Sequence, residues 1–203
     1  MRVPTLCSLL LALATPVAAA GRYLPRDGDI VFHTSNSTQS VAIQRATKSS
    51  YTHMGIVFLN GGKPVVLEAV EPVKLTPLGQ WLARGNRGHF VVKRLRDAAD
   101  LLTPRALDRI RAVGKDFEGK HYDLTFEWSD DRIYCSELVW KVFQRALGVE
   151  LGDLQKISDF DLSDQVVQAK IRERWGGSPP PNEPVISPAA VFNSHLLVTV
   201  YQR

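Results

Sequence analysis

The sequence predicts an α+β domain built on antiparallel strands. Three observations carry that prediction. Two runs rich in β-formers, residues 51–59 and 65–70, flank Asn60-Gly61-Gly62-Lys63, which is a hairpin signal. Amphipathic helical patterns follow Thr103-Pro104 and Cys135. Strands and helices are mixed without the regular alternation of a doubly wound sheet.

The first twenty of the 203 residues stand apart from this domain. Arg2 gives a short basic start, residues 6–14 are mostly apolar, and Ala18-Ala19-Ala20 forms a small-residue cleavage site before Gly21, so residues 1–20 read as a secretory signal peptide and 21–203 as one domain. The apolar run is interrupted by Ser8 and bounded by Thr15-Pro16, too short for the roughly 20 residues of a membrane span. The expectation is therefore a secreted or periplasmic protein, with export making an association with the cell envelope possible. The formal charge of +4 falls to +3 once Arg2 is lost, with basic residues scattered along the chain, which gives no case for nucleic acid.

From the amino end, Gly28-Asp29-Ile30-Val31-Phe32 reads as a turn feeding a strand. A short helix follows the polar stretch 34–40, with Ser37 as cap and Val41, Ala42 and Ala46 inward. After the hairpin, Thr76-Pro77 reads as the cap and first turn of a brief helix carrying Leu78, Trp81 and Leu82. Residues 88–95 form another strand. The helix after Thr103-Pro104 carries Leu107, Ile110, Val113 and Phe117 and stops at Gly119, and the one from Cys135 stops at Gly148. A further helix follows Ser163, the four prolines in residues 178–184 mark a surface loop, Ser187-Pro188 opens a helical turn, and residues 195–201 close the chain as a strand.

Cysteine usage leaves two readings open, a small buried hydrophobe or a reactive thiol. Cleavage removes Cys7 and leaves Cys135 alone, so an exported chain holds a thiol with no internal disulfide partner. At a helix start, unpaired N–H groups and the positive end of the dipole favour thiolate and offer donors to an oxyanion. The hairpin supplies a second element. If Asn60 and Gly61 are the loop, His53 lies opposite Glu68; if residues 60–63 are the loop, His53 faces Val70 and Glu68 is its diagonal neighbour. Both even registers put the pair on one face, with opposite Cβ atoms roughly 4.5–5.5 Å apart and diagonal ones about 7–8 Å. A three-residue loop would separate them. Pro64 loses a ladder bond in the first register and is tolerated in the second. A carboxylate beside an imidazole fixes its tautomer and supports its cationic form. His33, His89, His121 and His195 read as structural or surface residues, with His33, just past the first strand, also able to line a cleft. Asp123 reads as a turn former, and Tyr134 and Ser136 flank the thiol.

The sequence contains no G-x-S-x-G, H-E-x-x-H, paired C-x-x-C, P-loop or G-x-G-x-x-G. His53, Glu68 and Cys135 could ligate zinc chemically, but their spacing matches no zinc framework. The expectation is no metal and no cofactor.

Gly28-Asp29-Ile30-Val31-Phe32, Tyr51-Thr52-His53-Met54-Gly55-Ile56-Val57, Val66-Leu67-Glu68-Ala69 and Tyr134-Cys135-Ser136-Glu137-Leu138-Val139-Trp140 together resemble the permuted papain-like amidases of the YiiX/YaeF type, within the NlpC-like superfamily, as does Ile186-Ser187-Pro188. In that family the histidine strand and acidic partner come first and the nucleophile helix last. The resemblance implies a circularly permuted papain-like fold, α+β, with a small antiparallel sheet or barrel packed on the nucleophile helix. It implies Cys135 as nucleophile, His53 as base and Glu68 as orienting acid, with Tyr134, Ser136 and His33 lining the substrate or oxyanion site. The expected activity is cleavage of an amide, in a cell-wall peptide or an acylated amino acid, through a thioester. Substrates would be small-molecule, peptide or lipid amides. Alternatives with the same residues are an acyltransferase or lipid esterase, as in lecithin:retinol acyltransferase-like proteins, and a non-catalytic lipid- or peptide-binding module.

Overall fold

A computed structural model describes residues 22–203. The predicted leader, with Cys7, lies outside them.

The chain runs through β1 (Ile30–His33), α1 (Thr38–Thr47), β2 (His53–Asn60), β3 (Lys63–Glu68), β4 (Lys74–Pro77), α2 (Leu78–Ala83), β5 (Val91–Leu95), α3 (Ala98–Leu101) and α4 (Pro104–Phe117). It continues with the short strands β6 (His121–Tyr122) and β7 (Arg132–Ile133), helix α5 (Cys135–Leu147), β8 (Gln155–Lys156), α6 (Gln165–Trp175), β9 (Pro184–Val185), α7 (Pro188–Phe192) and β10 (Leu197–Gln202). Six strands make one sheet in the order β10-β5-β1-β2-β3-β4, every neighbouring pair antiparallel. Among the described residues no helix is long and apolar enough to cross a membrane.

Strand alternation divides the core. Ile30, Phe32, Met54, Ile56 and Leu67 face the layer that holds Ile110 of α4 and Leu138, Val142 and Phe143 of α5. Val31, Val57, Val66 and Val92 face the other way, against Leu78 and Trp81 of α2. His33, His53 and Glu68 alternate onto this second face, at the end of the sheet where α5 begins.

The hairpin register puts Leu59 opposite Pro64 and Asn60 opposite Lys63, so the second of the two registers holds and the turn itself is Gly61-Gly62. Both glycines have positive φ, 56° and 78°, as a type I′ turn requires of both its central residues. Proline selects this register. Leu59 and Pro64 form a pair that does not exchange hydrogen bonds: the Leu59 N–H goes instead to Asp27 Oδ1 at 2.8 Å, and its carbonyl accepts from Arg111 at 3.1 Å. Pro64 therefore costs no ladder bond.

The sequence reading departs from the structure at several points. Residues 74–77 form β4, and the helix begins one residue after Pro77. Thr76 is thus not a cap, and its hydroxyl turns into the sheet's second face. The hairpin strand ends at Glu68 instead of Val70. Val41 points outward, 43% exposed, because α1 turns Ser40 and Ala42 inward. The α6 cap is Asp164, which accepts from the Val166 N–H, while Ser163 bonds Asp161.

Candidate active site

α5 begins at Cys135, with Tyr134 as an extended N-cap. The first backbone N–H groups of a helix have no intrahelical partner, so the sulfur sits among unpaired donors. Both neighbours of the cysteine are tied to one distant residue: Ser136 Oγ donates to the Ile186 carbonyl at 2.7 Å, and the Ile186 N–H donates to Tyr134 Oη at 3.1 Å. The helix start is thereby fixed from outside the helix. Cys135 is buried, with Sγ 3.9 Å from the Thr52 carbonyl oxygen, directly before β2.

His53 opens β2 and lies between two partners. Its Nε2 is 2.6 Å from Glu68 Oε2, and the ring lies near enough to the Cys135 side chain for that group to favour the charged imidazole. The thiol, imidazole and carboxylate are therefore one connected line, although more than eighty residues separate Cys135 from His53. Glu68 is opposite Gly55 in the extended register, so the His53–Glu68 contact is diagonal. Gly55 makes the approach possible, because a Cβ there would lie 2.5 Å from Val66 Cγ1 and 2.7 Å from the Leu67 carbonyl.

Glu68 is fully buried and its second oxygen is satisfied twice. Oε1 accepts from Thr76 Oγ1 at 2.6 Å and from the Arg84 guanidinium at 2.5 Å. Burial opposes its ionisation, but the hydrogen bond and charge of His53, followed by Thr76 and Arg84, hold the carboxyl down at about 2. Burial also opposes a charged His53, yet contact with Cys135 and Glu68 outweighs it and raises the imidazole to about 9. His53 is thus cationic and Glu68 anionic at neutral pH.

Of the other expected lining residues, His33 faces His53 across β1 and β2 and stacks on Trp81, with ring centroids 4.0 Å apart. Burial and the charges of His53 and Arg84 lower it to about 3, so it stays neutral. Tyr134 and Ser136 line a cavity beside Cys135, but their hydroxyls are engaged by Ile186. His121, an exposed residue, pairs with Glu71, and Asp123 makes the expected turn bonds to Thr125 and Glu127. Thr76, Arg84 and Tyr122 were not foreseen as site residues. Tyr122 borders both hollows around the thiol, and its hydroxyl accepts from Gln39 Nε2 at 3.1 Å. Burial and the nearby Cys135 raise its pKa, so it keeps its proton. The Tyr-Asp step before the nucleophile was its only trace in the sequence.

A thiol at a helix start, an imidazole from a strand and a carboxylate from the next strand form the candidate site, with the histidine strand preceding the cysteine helix in the chain. The protein belongs to the family described as permuted papain-like amidase enzyme, YaeF/YiiX, C92 family, whose model matches residues 24–201. It is 47% identical over 192 residues to YiiX of Escherichia coli strain K12, covering 95% of this chain and 93% of that protein. A crystal structure described as metalloprotein YiiX from Escherichia coli O157:H7 superposes with a TM-score of 0.85 at 48% identity, over 89% of this chain and 99% of the other.

Proposed function

We propose that the protein is a cysteine hydrolase that cleaves an amide through Cys135, His53 and Glu68. The observation that carries this reading is a single imidazole bonded at 2.6 Å to a buried, ionised carboxylate and lying beside a helix-heading thiol whose nearness raises its pKa. Cys135 thiolate attacks the carbonyl carbon, forming the C–S bond. The oxyanion takes hydrogen bonds from N–H groups at the start of α5 and from the Tyr122 hydroxyl, whose proton is free to donate because its oxygen already accepts from Gln39. As the tetrahedral species collapses, the C–N bond breaks and the imidazolium of His53 gives its proton to the departing amine. Water then attacks the thioester, His53 takes its proton, and the acid leaves as the thiolate returns. Glu68 keeps the imidazole in one orientation throughout and stabilises its cation. His33, neutral and stacked on Trp81, forms a wall of the site.

The related crystal structure is described as a metalloprotein, and the side chains of this chain bear on whether a cation fits here. Among the described residues no three His, Cys, Asp or Glu side chains converge as a ligand set. At the thiol site Nε2 of His53 is already bonded to Glu68, which itself bonds His53, Thr76 and the Arg84 cation. This donor set does not fit a metal, and no step runs through one.

Export follows from the leader pattern in residues 1–20 and belongs to the same proposal; finding the mature protein beginning near residue 21 in an extracytoplasmic fraction tests it. The catalytic reading is tested by comparing wild type, Cys135→Ala and His53→Ala on a panel of acyl amides. Both variants are expected to lose turnover, and equal rates in all three would end the mechanism. Acyl appearing on an added amine or alcohol, with little free acid, would select acyl transfer instead.

A further inference from the structure

An apolar cavity of about 140 Å³, between α1, α6 and the start of α5, and a polar cleft of about 350 Å³ beside His53 flank the thiol, and Gln39 and Tyr122 border both. Tyr122 lies on β6, a strand of only two residues, so little regular structure holds it. It is tied at both ends instead. Its backbone N–H donates to Glu71 Oε2 at 2.9 Å, and its hydroxyl accepts from Gln39 Nε2 at 3.1 Å. Gln39, the second residue of α1, is held in turn by Arg174 of α6, whose guanidinium donates through Nη2 to Gln39 Oε1 at 3.1 Å and through Nη1 to the Leu124 carbonyl at 3.0 Å. Arg174 thus bridges α1 and the chain just beyond Tyr122, with its side chain only 12% exposed.

The chemistry of these groups sets the direction of each bond. A guanidinium has donors only, so the glutamine must turn its oxygen to Arg174 and its NH2 to the tyrosine. Tyr122 Oη therefore receives a proton from Gln39 and cannot give its own back to the same nitrogen. That proton is left for a partner on the Cys135 side. Reversing the amide would set donor against donor at Arg174 and would put an acceptor against the phenol, where it takes the proton. The electrostatics agree. Burial, and after it the nearby Cys135, raise the Tyr122 pKa, while the Gln39 bond and the charge of Arg174 pull it down and so make the hydroxyl a better donor.

We propose that Arg174 and Gln39 are positioning residues: by fixing the glutamine amide in one orientation, they keep the Tyr122 hydroxyl proton free for the oxyanion. The proposal rests on the hydrolase reading above and deepens it, adding a relay that begins on α6 and acts on the reaction only through Tyr122.

Gln39→Glu separates this role from packing. The carboxylate keeps the shape of the amide and pairs with Arg174, but it can only accept, so it draws the Tyr122 proton away from the reacting carbonyl. On acyl amides of aminomethylcoumarin, Gln39→Glu should lower kcat about 10²–10³-fold with KM within about twofold, matching Tyr122→Phe, and its thermal midpoint should not fall below that of wild type. Arg174→Met, which frees the amide to turn over, should lower kcat about tenfold, and Arg174→Lys should restore most of the loss. In a Tyr122→Phe background neither Gln39→Glu nor Arg174→Met should cost more. Full kcat in Gln39→Glu, or losses that multiply in the double variants, overturns the relay and leaves the hydrolase reading standing. If wild type cleaves none of these amides, the hydrolase reading fails, and a neutron structure of the protein crystallised in D2O decides the relay. A Gln39 Nε2 deuteron directed at Tyr122 Oη upholds it, and the Tyr122 deuteron directed at Gln39 refutes it.

Discussion

Glu68 and Glu137 are both fully buried and each faces a cation, yet they settle on opposite sides of neutrality. Glu68 receives His53, Thr76 and Arg84 and is held at about 2. Glu137, two residues into α5, has Lys141 Nζ at 2.7 Å and the Tyr134 N–H at 3.4 Å, and burial pushes it up to about 8 in spite of them. Lys141 meanwhile divides its donors with Asp130 and the Ser129 carbonyl. Burial acts on both carboxyls alike, so the number and commitment of donors decide which stays ionised. The one beside the imidazole has donors enough; the one in the scaffold does not.

The sharpest way to break this contrast is to neutralise each in turn. Glu68→Gln should lower kcat/KM on an acyl amide by about 10³–10⁴-fold, because an uncharged partner loses the imidazolium and its orientation. Glu137→Gln should stay within roughly a factor of three. Similar losses from both would erase the distinction.

The next effect is in pH. Turnover should fall as pH rises through about 9, where His53 gives up the proton it must deliver. Stability carries the same sign: the folded pKa lies above the ordinary 6.5, so His53 contributes fully below about 6.5 and its contribution is lost as pH rises through about 9. Glu68 is the mirror case, contributing above about 4.5 and losing that contribution as pH falls through about 2. An activity profile with its alkaline limb near 6.5 would contradict the paired state of the imidazole.

Thr76→Val removes one donor from Glu68 while keeping the shape, and should cost about 1.5–3 kcal/mol in denaturant unfolding, with turnover reduced less than in Glu68→Gln. Gly55→Ala pushes β2 and β3 apart where His53 and Glu68 meet, and should cost about 1–3 kcal/mol with a smaller fall in turnover. The smallest effect on activity comes from Glu137→Gln, whose signature is thermodynamic. A carboxyl raised from 4.5 to about 8 makes the fold lose stability as pH climbs between those values, and melting curves of the variant should lack that decline.

Much of the site could be read from the chain. The pairing of His53 with Glu68 follows from any even hairpin register, but Pro64 leaves both registers open in the sequence, and the Leu59–Pro64 pairing of the fold selects the second. Gly148 and the apolar spacing after Cys135 mark α5 from end to end. Thr76 and Arg84 escaped notice for a physical reason: Thr-Pro before an apolar run looks the same whether it caps a helix or ends a strand. Only the pairing of β4 with β3, Glu68 opposite Lys74, turns the threonine toward the carboxylate. The Cys135–His53 contact carried no local signal and entered through family resemblance. The apolar cavity has no motif at all, because α1 and α6 are joined only by folding, and α6 spreads its apolar residues weakly around its circumference.

The clasp on Ile186 has a consequence for the protein's biogenesis. A nascent chain presents Cys135 some fifty residues before it presents the backbone that pins Tyr134 and Ser136. The surroundings of the thiol are therefore complete only once residue 186 has been made, and on the proposed hydrolase reading a polypeptide released before that point should be inert.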